Sequence, residues 1–330
     1  MRHQHTIARS CQVRGRGYWT GQDVTVTIRP AEVDSGIVLV RDDLPDRPQC
    51  PASVHYLSEA AMRTNLVRGQ ARFEMVEHLL SALSGLQIDN AVVGITAMEL
   101  PGLDGSALAF VEALSTCGLV LQSKRRPVLE IDQSYRIGNG RGWVQVDPID
   151  AGQGDRTHDP VRYTYQLSYD DDTPIAPQVF TATGRPSTYI RSIAPARTFI
   201  TAAQADAIRA SGMAGHVSDT DLIVIDVNGA ARGNQLRFDN EFARHKTLDM
   251  IGDLSLCGVD VRGRFTSFRG GHVLNGRMAR QLSLLASAGS NRYKQTTRSG
   301  ITEPPSKSSN LKSSDSVSVP FPTPPVRRAA

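Results

Sequence analysis

A chain of 330 residues, 40% hydrophobic and 21% charged, has the balance of a globular protein able to bury one large core or two ordinary ones. Its apolar runs, such as residues 222–225, fall far short of the roughly 18 residues of a membrane helix, and its polar start lacks a secretory core, so a soluble chain is expected. The net charge of +4 is concentrated at one end: from residue 291 onward seven Lys/Arg face only Glu303 and Asp315, which leaves the body slightly acidic and excludes a folded nucleic-acid face.

In chain order, apolar alternation predicts strands at 23–28 and 37–40. A helix is predicted over 73–86, with Val76, Leu79, Leu80, Leu83 and Leu86 on one face. A buried strand at 90–95, a turn around Gly102 and Gly105, and a helix over 107–114 follow. Gly118, a short strand at 119–121 and the basic stretch 123–127 mark a domain junction. Beyond it come strands at 128–131, 143–146 and 162–169, a loop over 170–177, a helix over 202–211 and an apolar strand at 222–225. A helix over 238–257 ends at Gly258, and a strand at 263–268 leads to a last helix over 275–288. Both halves run strands, helix, strand, helix, a hint of duplication. The expected organisation is an α+β domain over 1–122, a second over 127–290, and a disordered basic Ser/Pro-rich tail over 291–330. The four cysteines are scattered with no CxxC pair, which fits a reducing compartment and excludes a cysteine-rich metal site.

The richest chemistry lies in Phe-Ala-Arg-His-Lys-Thr-Leu-Asp-Met-Ile-Gly-Asp, residues 242–253. His245, Asp249 and Asp253 recur every four residues, so a helix stacks them on one face. A neutral imidazole and a carboxylate one turn apart offer two ligands to a divalent metal, zinc first. The same spacing also suits a plain His–Asp hydrogen bond. Glu77–His78 on the 73–86 helix would supply a third ligand and a carboxylate beside it to take a proton from water. His272, between paired glycines and a helix, could protonate a leaving group, with Asp253 to orient it. Thr198 offers a hydroxyl for an oxyanion and Phe199 an apolar wall, while Lys246 could meet a phosphate.

Five stretches together resemble the UDP-3-O-acyl-N-acetylglucosamine deacetylases, the zinc enzymes of lipid A biosynthesis. They are Val-Glu-His-Leu-Leu-Ser-Ala-Leu-Ser-Gly-Leu-Gln-Ile-Asp-Asn (76–90), Glu-Leu-Pro-Gly-Leu-Asp-Gly-Ser-Ala (99–107), Ala-Arg-Thr-Phe (196–199), residues 236–254 and Gly-His-Val-Leu-Asn (271–275). The resemblance covers about residues 3–290. It implies two similar α+β domains, each a small sheet packed on helices, with the active site at their interface. It implies one Zn²⁺ on His78, His245 and Asp249, Glu77 as base, His272 as acid held by Asp253, and Thr198 at the oxyanion. Phe199 would line the substrate site and Lys246 would contact the nucleotide phosphates. The implied partner is the UDP-3-O-acyl-N-acetylglucosamine substrate, met by a cytoplasmic monomer with at most a transient membrane-surface contact. Two other readings fit the same residues: a zinc amidohydrolase of another N-acyl sugar, and a non-catalytic zinc-bound scaffold for a lipid or a partner. The chain departs from the family pattern at Trp19, where a histidine is usual, at Met75 and Ala109, and over 212–219, a segment that helps form the acyl-chain passage in the family.

Overall fold

Val24, Val26 and Ile28 alternate with partly exposed threonines along Asp23–Pro30, which gives a strand with one face in the core. Val144 and Val146 likewise alternate with partly exposed Trp143, Gln145 and Asp147 in Gly142–Asp147. The structure is a computed structural model. It describes residues 1–149, 161–170, 173–298 and 318–319. Most of the expected tail, and part of the expected 170–177 loop, lie outside the described residues.

Each of these strands belongs to a five-stranded sheet, and the two sheets share one topology. The first is ordered Cys11–Arg16, Asp23–Pro30, Ala91–Ile95, Ile37–Arg41, Gln49–Pro51. The second is ordered Tyr135–Asn139, Gly142–Asp147, Arg264–Phe268, Arg162–Leu167, Gln178–Thr183. In both, the last strand in sequence inserts beside the second and third, antiparallel to one and parallel to the other. The fold is therefore α+β with two similar sheet-and-helix halves. Helix α1 (Glu77–Gly85) precedes the last strand of the first sheet and α2 (Leu108–Ser115) follows it. Two further helices, α3 (Pro186–Ser192) and α4 (Ala202–Ala210), lie in the second half. There α5 (Glu241–Ser255) precedes the last strand and α6 (His272–Arg298) follows it. One apolar core runs through both halves, from Val26 and Leu39 through Leu79, Leu83 and Leu248 to Val146, Phe265 and Leu282. Among the described residues no helix is long and apolar enough to cross a membrane.

Several boundaries differ from expectation for local reasons. The helix expected from residue 73 starts at Glu77, because Ala71–Glu74 pairs with Asn65–Arg68 as a strand. Met75, at φ 60°, then turns the chain through the left-handed region, which costs a non-glycine residue about 1–2 kcal/mol. The last helix starts at His272 and not 275, and it runs on to Arg298. Ser318–Val319 pairs with Leu119–Val120, at the edge of a strand that reaches Arg125 across the expected junction.

Helices α1 and α5 cross with almost nothing between their backbones. A Cβ at Gly252 would lie 2.2 Å from the carbonyl oxygen of Glu77. Gly252→Ala must therefore push the helices apart. We expect it to lose about 1–3 kcal/mol of stability in urea unfolding, the usual cost of overpacking; a wild-type midpoint would contradict this contact.

Candidate active site

The first turn of α1 and the middle of α5 bring His78, His245 and Asp249 together, with ligand atoms all within 4.8 Å of one another. His245 is buried, and its Nδ1 lies 3.1 Å from the carbonyl oxygen of Ala196. That oxygen only accepts, so Nδ1 carries the proton and Nε2 presents a lone pair. Burial drives the His245 pKa down to about 3, outweighing the opposite pull of Asp249, so the ring is neutral. Its Nε2 faces Asp249 Oδ1 at 3.3 Å, and His78 Nε2 lies 3.7 Å from the same oxygen. Asp249 Oδ1 is buried with no hydrogen-bond donor among the described residues. Burial works against ionisation of Asp249, yet the imidazoles and the Lys246 ammonium, 2.8 Å from Oδ2, keep its pKa well below the usual range. An imidazole lone pair facing an ionised oxygen without a donor is an arrangement that a cation reconciles. The residues present fit a divalent ion.

Glu77 opens α1 and is buried, and its Oε2 accepts the Thr64 backbone N–H at 3.0 Å. Burial raises its pKa above the ordinary carboxylate range, against the opposing influence of His272 and His78. His272 opens α6 with Nδ1 3.0 Å from Asp253 Oδ2. Burial would lower its pKa, but the charge and hydrogen bond of Asp253, helped by Asp249 and Glu77, hold it up to about 9. His272 is thus protonated at neutral pH, beside a buried carboxylate with a raised pKa.

Thr198, Phe199 and Lys246 line the same cavity of about 300 Å³ as Glu77, His78, His245, Asp249 and His272. The Thr198 backbone is fixed from both sides, by the Gly105 carbonyl at 2.8 Å and the Ile223 N–H at 3.0 Å. Phe199 packs on Phe242 with ring centroids 4.5 Å apart and meets His245 edge-on. Lys246 points at Asp249 from a partly buried position. The cavity extends between apolar Ile200, Ala205, Ile208, Val217, Leu222 and Val224, so α4 and the 212–219 segment form part of its wall. Trp19 lines it too, its backbone N–H on Glu99 and its ring under the Arg63 guanidinium at 4.8 Å. A larger cavity of about 690 Å³ lies by the C-terminal turns of α1 and α5. None of the predicted site residues lines it, and its Arg2, Arg126, Asp89 and Asp260 pair with one another.

The structure thus brings every candidate site residue of the sequence to one cavity or, for Asp253, directly behind it. It adds residues the sequence did not reveal. Asn275 and Thr64 both donate to Asp253, at 2.9 and 2.5 Å. Asn275 stands three residues after His272, one helical turn on, and so had a detectable signal. Thr64 sits in a loop 189 residues from Asp253 and had none. Arg197 and Glu241 form a buried two-point ion pair, at 2.8 and 3.2 Å, and Glu241 also takes the backbone N–H groups of Arg197 and Arg237. This clamp fixes the Ala196–Phe199 segment, with its carbonyl for His245, to the start of α5.

A buried carboxylate with a raised pKa and a protonated imidazole beside a cation-competent cluster suit hydrolase chemistry, and the frame is α+β. The chain belongs to the UDP-3-O-acyl N-acetylglycosamine deacetylase family, whose sequence profile matches residues 4–284. Relatives from Brucella ovis, Brucella canis and Brucella suis are each named UDP-3-O-acyl-N-acetylglucosamine deacetylase. Each is 35% identical over 282 residues, 85% of this chain and 95% of the relative.

Arg197→Met would leave Glu241 as an uncompensated buried charge. We expect a loss of about 3–5 kcal/mol in denaturant unfolding; a loss below about 1 kcal/mol, the range of surface pairs, would show the clamp to be dispensable.

Proposed function

We propose that this protein hydrolyses the N-acetyl group of UDP-3-O-acyl-N-acetylglucosamine, releasing acetate and the free amine, in lipid A biosynthesis. One zinc ion on His78, His245 and Asp249 would serve the reaction. The observation that carries the reading is the convergence of two imidazoles on a buried Asp249 oxygen that has no donor among the described residues, in a chain of this family. A bound divalent ion polarises a carbonyl and makes a neighbouring water more acidic. Glu77, its pKa raised by burial, removes the proton of the attacking water. The Thr198 hydroxyl donates to the oxyanion that develops on the acetamide carbonyl. His272, protonated at neutral pH, gives its Nε2 proton to the departing amine while Asp253 holds Nδ1. Phe199 forms a wall against the sugar, and the acyl chain lies along the apolar face made by α4 and residues 200–224. Lys246, whose ammonium rests on Asp249 Oδ2 at 2.8 Å, would turn to meet the diphosphate when substrate binds. The proposed layout places Glu77 and His78 in a first domain over 1–122 and the remaining groups in a second over 127–290, with the site between them.

Acetate release from the UDP-linked substrate is expected to stop with a zinc chelator and return with zinc. Stoichiometric zinc without acetate release would favour the scaffold reading instead, and activity on free N-acyl sugars over UDP-linked ones would redirect the substrate. Glu77→Ala should keep the metal and lose about 10²–10⁴-fold in kcat; full activity in that variant would remove Glu77 as the base. Lys246→Ala should raise KM roughly ten-fold with a smaller change in kcat, the mark of lost ground-state binding, and an unchanged KM would count against a phosphate contact.

A further inference from the structure

Thr64 stands just before the strand Asn65–Arg68 and is 2% exposed. All of its polar atoms are engaged at the site. Its N–H donates to Glu77 Oε2 at 3.0 Å and its carbonyl accepts from Val76, the residue before α1, at 3.2 Å. Its hydroxyl donates to Asp253 Oδ1 at 2.5 Å and lies 3.1 Å from His272 Nδ1. One residue thus touches the proposed base, the proposed acid and the carboxylate that orients the acid, and it does so from the first half of the fold into the second.

Resting on the roles assigned above to Glu77 and His272, we propose that Thr64 is a positioning residue that fixes the acid relative to the base. The division of labour on Asp253 explains how. Oδ2 takes His272 Nδ1 and Asn275 Nδ2, and Oδ1 takes the Thr64 hydroxyl. A carboxylate with donors on both oxygens cannot rotate freely about its last bond. Without the hydroxyl, Oδ1 is a buried charged oxygen lacking a donor, and the carboxylate turns to recover one. The imidazole follows, because Nδ1 tracks Oδ2, and the reacting Nε2 swings away from the leaving amine. The Glu77 contact comes from backbone and survives any side-chain change, so hydroxyl variants isolate the acid side.

The test compares Thr64→Val, which removes the hydroxyl at similar shape, with Thr64→Ser, which keeps it, in the zinc-loaded full chain. Thr64→Val is expected to lose roughly ten- to hundred-fold in kcat, the scale of small misplacements, with KM within about twofold and zinc content unchanged. Thr64→Ser restores most of kcat. In protein carrying isotopically labelled histidine, the low-field Nδ1 proton of His272 shifts in Thr64→Val and stays in place in Thr64→Ser. If Thr64→Val does not fold, Thr64→Cys, a weaker donor of similar size, takes its place with the same expectations. Wild-type kcat in the hydroxyl-free variant, a serine variant as slow as valine, a loss confined to KM, or an unmoved His272 signal would each overturn the proposal. A wild-type protein that releases no acetate sinks the proposed function instead, before Thr64 is at issue.

Discussion

The crossing of α1 and α5 is the constraint on which the site depends. Gly252 has no side chain, so α5 rests directly against the first-turn backbone of α1. That contact sets the depth at which His78 meets Asp249 and His245, the His78 and His245 rings standing 5.1 Å apart and nearly perpendicular. Metal ligands tolerate only a few tenths of an ångström of misplacement. A methyl group in the crossing would consume that tolerance before reaching any ligand. The apolar core that runs through both halves packs around the crossing, with Leu79, Leu83 and Leu248 in it.

Burial gives the charged groups their character. Glu77, His78, His245, Asp249, Asp253 and His272 are all buried, so each meets the others with little screening by water. Environment, not residue type, separates two histidines of the same cluster. Burial drives His245 neutral against the raising pull of Asp249 and the Ala196 carbonyl, while His272, also buried, faces Asp253 and is held protonated. His272 also opens α6, where the positive end of the helix disfavours an imidazolium. Its proton therefore depends on Asp253, and Asp253 in turn on Asn275 and Thr64.

What was legible in the sequence was local. The four-residue recurrence of His245, Asp249 and Asp253 needs only a helix to put them on one face, and α5 is that helix. The adjacency of Glu77 and His78 is likewise a property of one turn of α1. Strands such as Cys11–Arg16 and Asn65–Arg68 left little trace, because their pairing partners, not their own alternation, define them. The start of α1 differs from expectation for a related reason. The periodicity of Val76, Leu79 and Leu83 extends backward through Phe73, and only the strained turn at Met75 separates strand from helix. The Arg197–Glu241 clamp joins residues 44 positions apart, and no spacing rule reaches that far.

The duplication of the frame makes the asymmetry of the chemistry informative. Helices α1 and α5 hold equivalent places before the last strand of their sheets, and both carry groups of the candidate metal cluster. Helices α2 and α6 are also equivalent, yet α6 opens with His272 while α2 opens with Leu108 and Ala109. The segments between the fourth strand and the inner helix of each half differ most. The first forms a small three-stranded sheet, Leu57–Ser58, Asn65–Arg68 and Ala71–Glu74. The second forms α3, α4 and the short parallel pair Phe199–Thr201 with Ile223–Ile225. Each leads into the N-terminal end of its inner helix, and so the two arrive on the same side of the crossing. Thr64 comes from one and Thr198 and Phe199 from the other. A symmetric scaffold thus fixes where groups can stand, and the unlike segments before its two inner helices decide which groups stand there.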